Sequence, residues 1–179
     1  MIIHPIEPVC FPSSRILILG SFPSVKSRES GFYYGHPQNR FWRVLAAVFD
    51  EPPPTEKEGK IALLFRHGIA LWDVLARCEI TGSSDASIRG EAPNDLSVLF
   101  GTADIRTVFT NGQTAHALYR KYQLPLWGKE DICLPSTSPA NASKSLEKLI
   151  GEWKQINEEL KKLRAEAANG TGLLQKKAL

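Results

Sequence analysis

Cysteine is sparse in this chain, and what there is does not pair. Cys10, Cys78 and Cys133 are scattered and odd in number. That argues against a disulfide framework and, with no Cys-x-x-Cys pair, against zinc or an iron–sulfur cluster. The 4 histidines lack ligand spacing as well, so neither a metal nor a cofactor is expected. Long hydrophobic runs are also missing: none approaches the ~18 residues that span a bilayer. The opening stretch Met1-Ile-Ile-His-Pro-Ile-Glu-Pro8 has no basic region, long apolar run or small-residue cleavage site of a secretory signal. A cytoplasmic protein, monomeric and without membrane attachment, is the expectation.

Charge of one sign is equally scarce. A net charge of +3 is too small to mark a nucleic-acid binder by composition alone. The distribution says more than the sum. From Arg15 to Arg43 the basic residues are Arg15, Lys26, Arg28, Arg40 and Arg43, against the single acid Glu29. Such a basic lip on a near-neutral body would let an enzyme scan DNA without gripping it, although solvated surface charge accounts for it equally well.

What is present is one domain's worth of chain, 179 residues with 42% hydrophobic content. Arg15-Ile-Leu-Ile-Leu-Gly20 has the apolar run of a buried strand. Ser21–Pro37 reads as a long polar, aromatic loop, of a length usually explained by function. Helical spacing begins near Asn39, with Phe41, Val44, Leu45 and Val48 on one face, and the prolines after Glu51 end it. A second helix is predicted over Glu56–His67, with Gly68 as its cap. Ile69–Trp72 reads as a strand with Asp73 at its end, and Thr81–Pro93 as a Gly/Ser-rich loop. A short helical pattern covers Asp95–Phe100. Thr107–Thr110 is a third strand, closing at Asn111-Gly112 before a helix at Gln113–Tyr122. Ile132–Leu134 is a fourth, ending in the loop Pro135–Asn141, after which Ser143 is a plausible cap for a helix through Trp153. The alternation predicts an α/β fold, a single-domain three-layer α/β/α arrangement around a central, mainly parallel four-stranded sheet. Ligands of such sheets bind beyond the carboxyl ends of the strands. Residues 1–155 are expected to form the domain and 156–179 a C-terminal tail, helical or flexible, with a break at Ala167–Thr171.

Two strand-end loops carry a family resemblance. Gly20-Ser-Phe-Pro-Ser24, followed by Phe32-Tyr-Tyr-Gly-His-Pro-Gln-Asn-Arg-Phe-Trp42, resembles the first motif region of the mismatch-specific and thymine-type uracil-DNA glycosylases. Leu134-Pro-Ser-Thr-Ser-Pro-Ala-Asn141 resembles the superfamily's second motif, the loop that enters the DNA minor groove. His67–Asp73 and Val108–Gly112 are similar to its two middle strands. One departure matters: Phe22 stands where the superfamily usually has its catalytic Asp or Asn. The hypoxanthine-DNA glycosylase branch shows this substitution, and the chain is identified as a member of that branch. The resemblance implies a base-excision-repair enzyme that flips a deaminated base out of DNA, duplex or single-stranded, and hydrolyses its N-glycosidic bond.

It further implies which residues act. The branch's catalytic asparagine maps onto Asn39, which would hold water near C1′ through its side-chain carbonyl. An asparagine ahead of Arg-Phe-Trp also suits a helix N-cap. Asn111 maps onto a base-reading asparagine whose amide matches the O6 acceptor and N1–H donor of hypoxanthine. Asn-Gly is equally a turn pair. Tyr34 aligns with the stacking aromatic, with Phe22 in the same wall, and Gly20 and Ser21 shape the turn beside the base. Asp73 is a candidate for accepting from a base N–H, with service as an N-cap or in a loop salt bridge an equal alternative. His36 faces the site by its motif position, where a structural hydrogen bond accounts for it as well. Ser136, Thr137 and Ser138 suit phosphates, Pro139 and Ala140 suit the groove, and Asn141 would reach the opposite strand. Three alternatives stand beside this: an enzyme acting mainly on uracil or mismatched thymine, a noncatalytic nucleic-acid-binding α/β module, and a nucleoside hydrolase. The last lacks the aspartate clusters of such enzymes.

Overall fold

Ile16–Gly20 is buried along its whole length, which fixes it as the inner strand of a sheet covered on both faces. In the computed structural model, which describes residues 1–176, its side chains divide by parity. Ile16 and Ile18 enter one apolar cluster, and Leu17 and Leu19 the other. The elements in chain order are β1 (Ile2–Ile3), β2 (Ile16–Gly20), α1 (Val25–Ser30), α2 (Phe41–Val48), α3 (Lys57–His67), β3 (Ile69–Asp73), β4 (Leu75–Glu79), β5 (Arg89–Pro93), α4 (Ser97–Thr102), β6 (Thr107–Asn111), α5 (Gln113–Tyr122), α6 (Leu124–Trp127), β7 (Asp131–Leu134), α7 (Leu146–Trp153) and α8 (Gln155–Lys176).

The central sheet has the order β3-β2-β6-β7 and every pairing in it is parallel. On one face Phe41, Val44 and Leu45 of α2 meet Leu63 and Leu64 of α3, Leu149 and Trp153 of α7, and Ile156 and Leu160 of α8. On the other face Leu99 of α4 and Leu118 and Tyr119 of α5 pack with Val74, Leu75 and Cys78. The three-layer α/β/α architecture is therefore present. Register aligns the strand ends: Gly20 lies beside Asp73, and Asn111 beside Leu134.

Several local expectations need correction. Ser21–Pro37 is not all loop, because Ser24 caps the six-residue α1 and Gly31 ends it in the left-handed region, φ 67°. So short a helix shows no apolar period. Thr81–Pro93 contains β5, which joins β1 and β4 in a second, antiparallel sheet. Its Arg-Gly-Glu-Ala-Pro sequence is irregularly paired and lacks the alternation of a strand. The cap of α7 is Ser145, whose side chain accepts from Lys148 N–H, while Ser143 bonds to Asn141 instead. Ala167–Thr171 does not interrupt α8, which runs unbroken from Gln155 to Lys176. The last 3 residues of the expected tail, 177–179, lie outside the described residues.

Candidate active site

Four strand ends open onto one cavity of about 710 Å³, a size usual for a small-molecule or base pocket. Of the residues singled out from sequence, Gly20, Ser21, Phe22, Tyr34, His36, Asn39, Asp73, Asn111, Ser136, Ser138, Pro139, Ala140 and Asn141 all line it. Thr137 does not. It is fully buried behind the wall, and it ties the wall together.

Thr137 uses every polar atom it has. Its Oγ1 donates to Asn39 Oδ1 and accepts from Asn111 Nδ2, both at 3.0 Å. Its N–H donates to Asn111 Oδ1 at 3.0 Å, and its carbonyl accepts from Arg40 N–H at 3.1 Å. Two consequences follow for the asparagines. Asn111 already presents both its oxygen and its nitrogen to Thr137, so bidentate reading of a base would displace those bonds. One further Nδ2–H remains to be offered. Asn39 Oδ1 also accepts from Phe41 N–H at 3.0 Å, but the N-cap of α2 is Arg40. Asn39 thus meets the helix's first free N–H from the position before the cap and is not itself the N-cap expected from the sequence. Both lone pairs of that carbonyl are therefore occupied.

Asp73 closes the floor. Gly20 has no side chain because there is no room for one: a Cβ there would lie 2.2 Å from Asp73 Oδ1 and 3.1 Å from Tyr34 Oη. Asp73 Oδ2 accepts from His4 Nε2 at 2.8 Å, the two side chains being 5% and 3% exposed. Ile6 N–H donates to His4 Nδ1 at 3.2 Å, which leaves the imidazole proton on Nε2, facing Asp73. His4 carries no sequence signal, since only folding brings it to a residue 69 positions away. Asp85, in the polar loop before β5, also lines the cavity, and Ser21 Oγ donates to its Oδ1 at 2.9 Å.

The aromatic residues form a layered wall. Tyr34 stacks on Phe41, centroids 3.9 Å apart and planes at 15°. Its backbone is left-handed, φ 53°, a conformation that costs a bulky residue ~1–3 kcal/mol and is kept where surroundings impose it. Its hydroxyl is buried without a hydrogen bond, beside Asn111. Burial first, and the charge of Asp73 second, push this phenol well above its ordinary range. Phe22 is 7% exposed and meets the edge of His4, centroids 5.7 Å apart. The position at which the resemblance leads one to expect Asp or Asn is thus apolar wall here. His36 bonds locally, its Nδ1 accepting from Gln38 N–H.

The Pro135–Asn141 loop is held from beneath. The Arg40 guanidinium donates to the carbonyls of Ser138, Asn141 and Lys144, and Trp153 Nε1 to that of Pro135. Asn141 folds back onto the Ser136 carbonyl, while Pro139 and Ala140 stand exposed at the crest. The basic lip is largely spent internally. Besides Arg40, Arg15 donates to the carbonyls of Pro12 and Ser14, Arg28 to that of Pro23, and Lys26 pairs with Glu29. Only Arg43 of the five stands exposed without such a contact. Among the described residues, no group of three or more His, Cys, Asp or Glu is arranged to hold a metal, and no helix is long and apolar enough to cross a membrane.

This geometry has counterparts. The family description of the uracil DNA glycosylase superfamily matches residues 8–161. A protein of Methanosarcina barkeri named hypoxanthine DNA glycosylase is 34% identical over 150 residues, which cover 82% of this chain and 92% of that one. Another of that name from Methanosarcina acetivorans is 36% identical over 150 residues, covering 80% and 90%. The solution NMR structure of a Methanosarcina acetivorans protein assigned by name to the uracil DNA glycosylases superposes with a TM-score of 0.73 at 33% identity, over 88% of this chain and 99% of that one. With the matched region spanning every strand of the central sheet and every loop of the cavity, the chain belongs to the uracil DNA glycosylase superfamily.

Proposed function

We propose that the protein is a monofunctional DNA glycosylase that hydrolyses the N-glycosidic bond of a flipped deaminated base, hypoxanthine in DNA. The observation that carries this reading is the convergence of Asn39 and Asn111 on one cavity, linked through Thr137, with Phe22 in the place of an acid. Two relatives sharing a third of their residues with this chain bear the name of that activity.

In this reading the base enters the cavity and lies against Tyr34, on the ring face not covered by Phe41. Such stacking contributes ~1–3 kcal/mol per base. The free Nδ2–H of Asn111 meets the purine O6, and Phe22, Gly20 and Ser21 set the width of the slot. Asp73, with one oxygen committed to His4, offers the other to a base N–H. Asn39 positions the water that attacks C1′. An amide has no useful basicity, so it orients the water rather than deprotonating it, and a modest rate follows. Pro139 and Ala140 press into the minor groove, Ser136 and Ser138 meet phosphates, and Asn141 reaches across once released from Ser136. The enzyme acts as a cytoplasmic monomer without metal or cofactor.

The test is direct. End-labelled duplexes containing inosine, uracil, a thymine mismatch or xanthine are incubated with the protein, and abasic sites are then cleaved with alkali. Inosine should be cut fastest. Faster cutting at uracil or mismatched thymine would place the enzyme with the pyrimidine-specific members, and no cutting at any of the four would leave a binding module.

A further inference from the structure

The cavity contains a second carboxyl group, to which none of these roles falls. Asp85 opens the single 3₁₀ turn Asp85–Ser87 and lines the cavity together with Ser21, Asp73 and Thr114. The turn is braced on itself. Ser87 N–H and Oγ both donate to the Ser84 carbonyl, at 2.9 and 2.7 Å, and Ile88 N–H donates to that of Asp85 at 3.2 Å. Ser83 Oγ anchors it to α1 by accepting from Val25 N–H at 3.0 Å. The carboxyl itself accepts from Ser21 Oγ at 2.9 Å, with Thr114 on the same wall.

Breaking a purine C1′–N9 bond leaves the bonding pair on the base, and an anionic purine departs reluctantly. Protonating another ring nitrogen lets it leave neutral. Of the other groups facing the cavity, Asn39 and Asn111 are amides, the Tyr33 and Tyr34 phenols are held high by burial, Asp73 is committed to His4, and His36 has its Nδ1 tied to Gln38 N–H in its own loop. We propose, on the reading of this protein as a purine-excising glycosylase, that Asp85 is the general acid, delivering its carboxyl proton to a ring nitrogen of the departing base. The C1′–N9 pair moves to the base as that proton arrives, and the oxygen of water bonds to C1′. The surplus proton of water passes through solvent to the Asp85 carboxylate, so free hypoxanthine and an abasic sugar form without another reactant.

The surroundings support the role. Burial pushes the Asp85 carboxyl up, the charge of Asp73 adds to that, and the hydrogen bonds from Ser21 and Thr114 oppose it. Tyr33, Tyr34, His36, Cys78 and the His4–Asp73 pair are the other titratable groups lining the cavity or facing Asp85. Arg28 of α1 is turned to the Pro23 carbonyl and the Phe22 ring. A raised pKa keeps the acid form present to higher pH, so excision should decline as pH rises through it.

Single-turnover excision from inosine duplex, followed from pH 5 to 9, tests this. Asp85→Asn keeps an oxygen for Ser21 and removes the proton. It should lower the rate by about a hundredfold or more, the usual contribution of a general acid, and abolish the decline towards high pH. Asp85→Glu should keep that decline. A 7-methylated hypoxanthine, cationic at the acid end of this range where N1 keeps its proton, needs no acid there, so at pH 5 Asp85→Asn should excise it within a few-fold of the unmodified protein. Equal loss on both bases would make Asp85 a structural residue and overturn the inference, as would an unchanged rate and pH profile on inosine. An unmodified protein that leaves inosine intact would overturn the purine reading itself, and this inference with it.

Discussion

Thr137 and Asn39, 98 residues apart in sequence, share a hydrogen bond of 3.0 Å in which the threonine hydroxyl donates to the amide oxygen. The same hydroxyl accepts from Asn111. In the proposed reading the base takes the remaining Nδ2–H of Asn111, and water takes a lone pair of Asn39 that the Thr137 hydroxyl gives up by turning. Thr137→Val removes the hydroxyl at nearly constant volume, and it should slow single-turnover excision of hypoxanthine by about tenfold or more. Thr137→Ser should restore most of the rate. If Val and Ser behave alike, the link is packing alone.

Asn39 has a structural duty and, in the proposed reading, a catalytic one. From the position before Arg40, the N-cap of α2, it accepts the first free N–H of the helix, that of Phe41, and losing such a bond costs about 0.5–1.5 kcal/mol. If it also positions water, Asn39→Ala should reduce single-turnover excision by about two orders of magnitude, as loss of one preorganised polar group does. Asn39→Asp keeps that bond and should retain stability and part of the activity. Melting temperature and rate on inosine duplex separate these effects. An Asn39→Ala protein that melts lower yet excises normally would leave Asn39 its structural duty alone.

Removing the Asn111 side chain unties Thr137 and would withdraw the proposed base contact with it. Asn111→Ala should cost roughly 1–3 kcal/mol in transition-state binding of hypoxanthine, the range for an unpaired buried polar group. Affinity for undamaged DNA should hardly change, because phosphate contacts dominate it. Excision kinetics beside a gel-shift titration check both halves, and excision at the normal rate would remove Asn111 from base reading.

The divide at residue 155 falls just inside α8, whose Ile156 and Leu160 belong to the same buried cluster as Trp153. We propose that the folding unit extends through Leu163, which packs against that cluster. A chain truncated after Gln155 loses burial worth about 2–5 kcal/mol per large apolar side chain, a large part of a typical domain's stability. It should fail to show a cooperative melt.

The sequence by itself determined the elements whose signal is local. The short apolar run Ile16–Leu19, closed by Gly20, reads as a strand covered on both faces, and the helix at Gln113–Tyr122 ends where its pattern ends. The strand-end loops, and so the cavity rim, follow from that alternation. Tertiary structure decided what depends on distant partners. β1, β4 and β5 have too little alternation to be read as strands and exist through pairing with one another. His4 reaches Asp73, and Asp85 reaches Ser21, only because the second sheet folds against the ends of the first. Arg40 read as a cation for DNA, yet three carbonyls of the Pro135–Asn141 segment and its flank turn it inward. Thr137 read as a phosphate contact, and burial made it the joint between two asparagines. A hydrogen-bonding side chain takes whatever partner folding brings within about 3 Å, and spacing along the chain does not encode that partner.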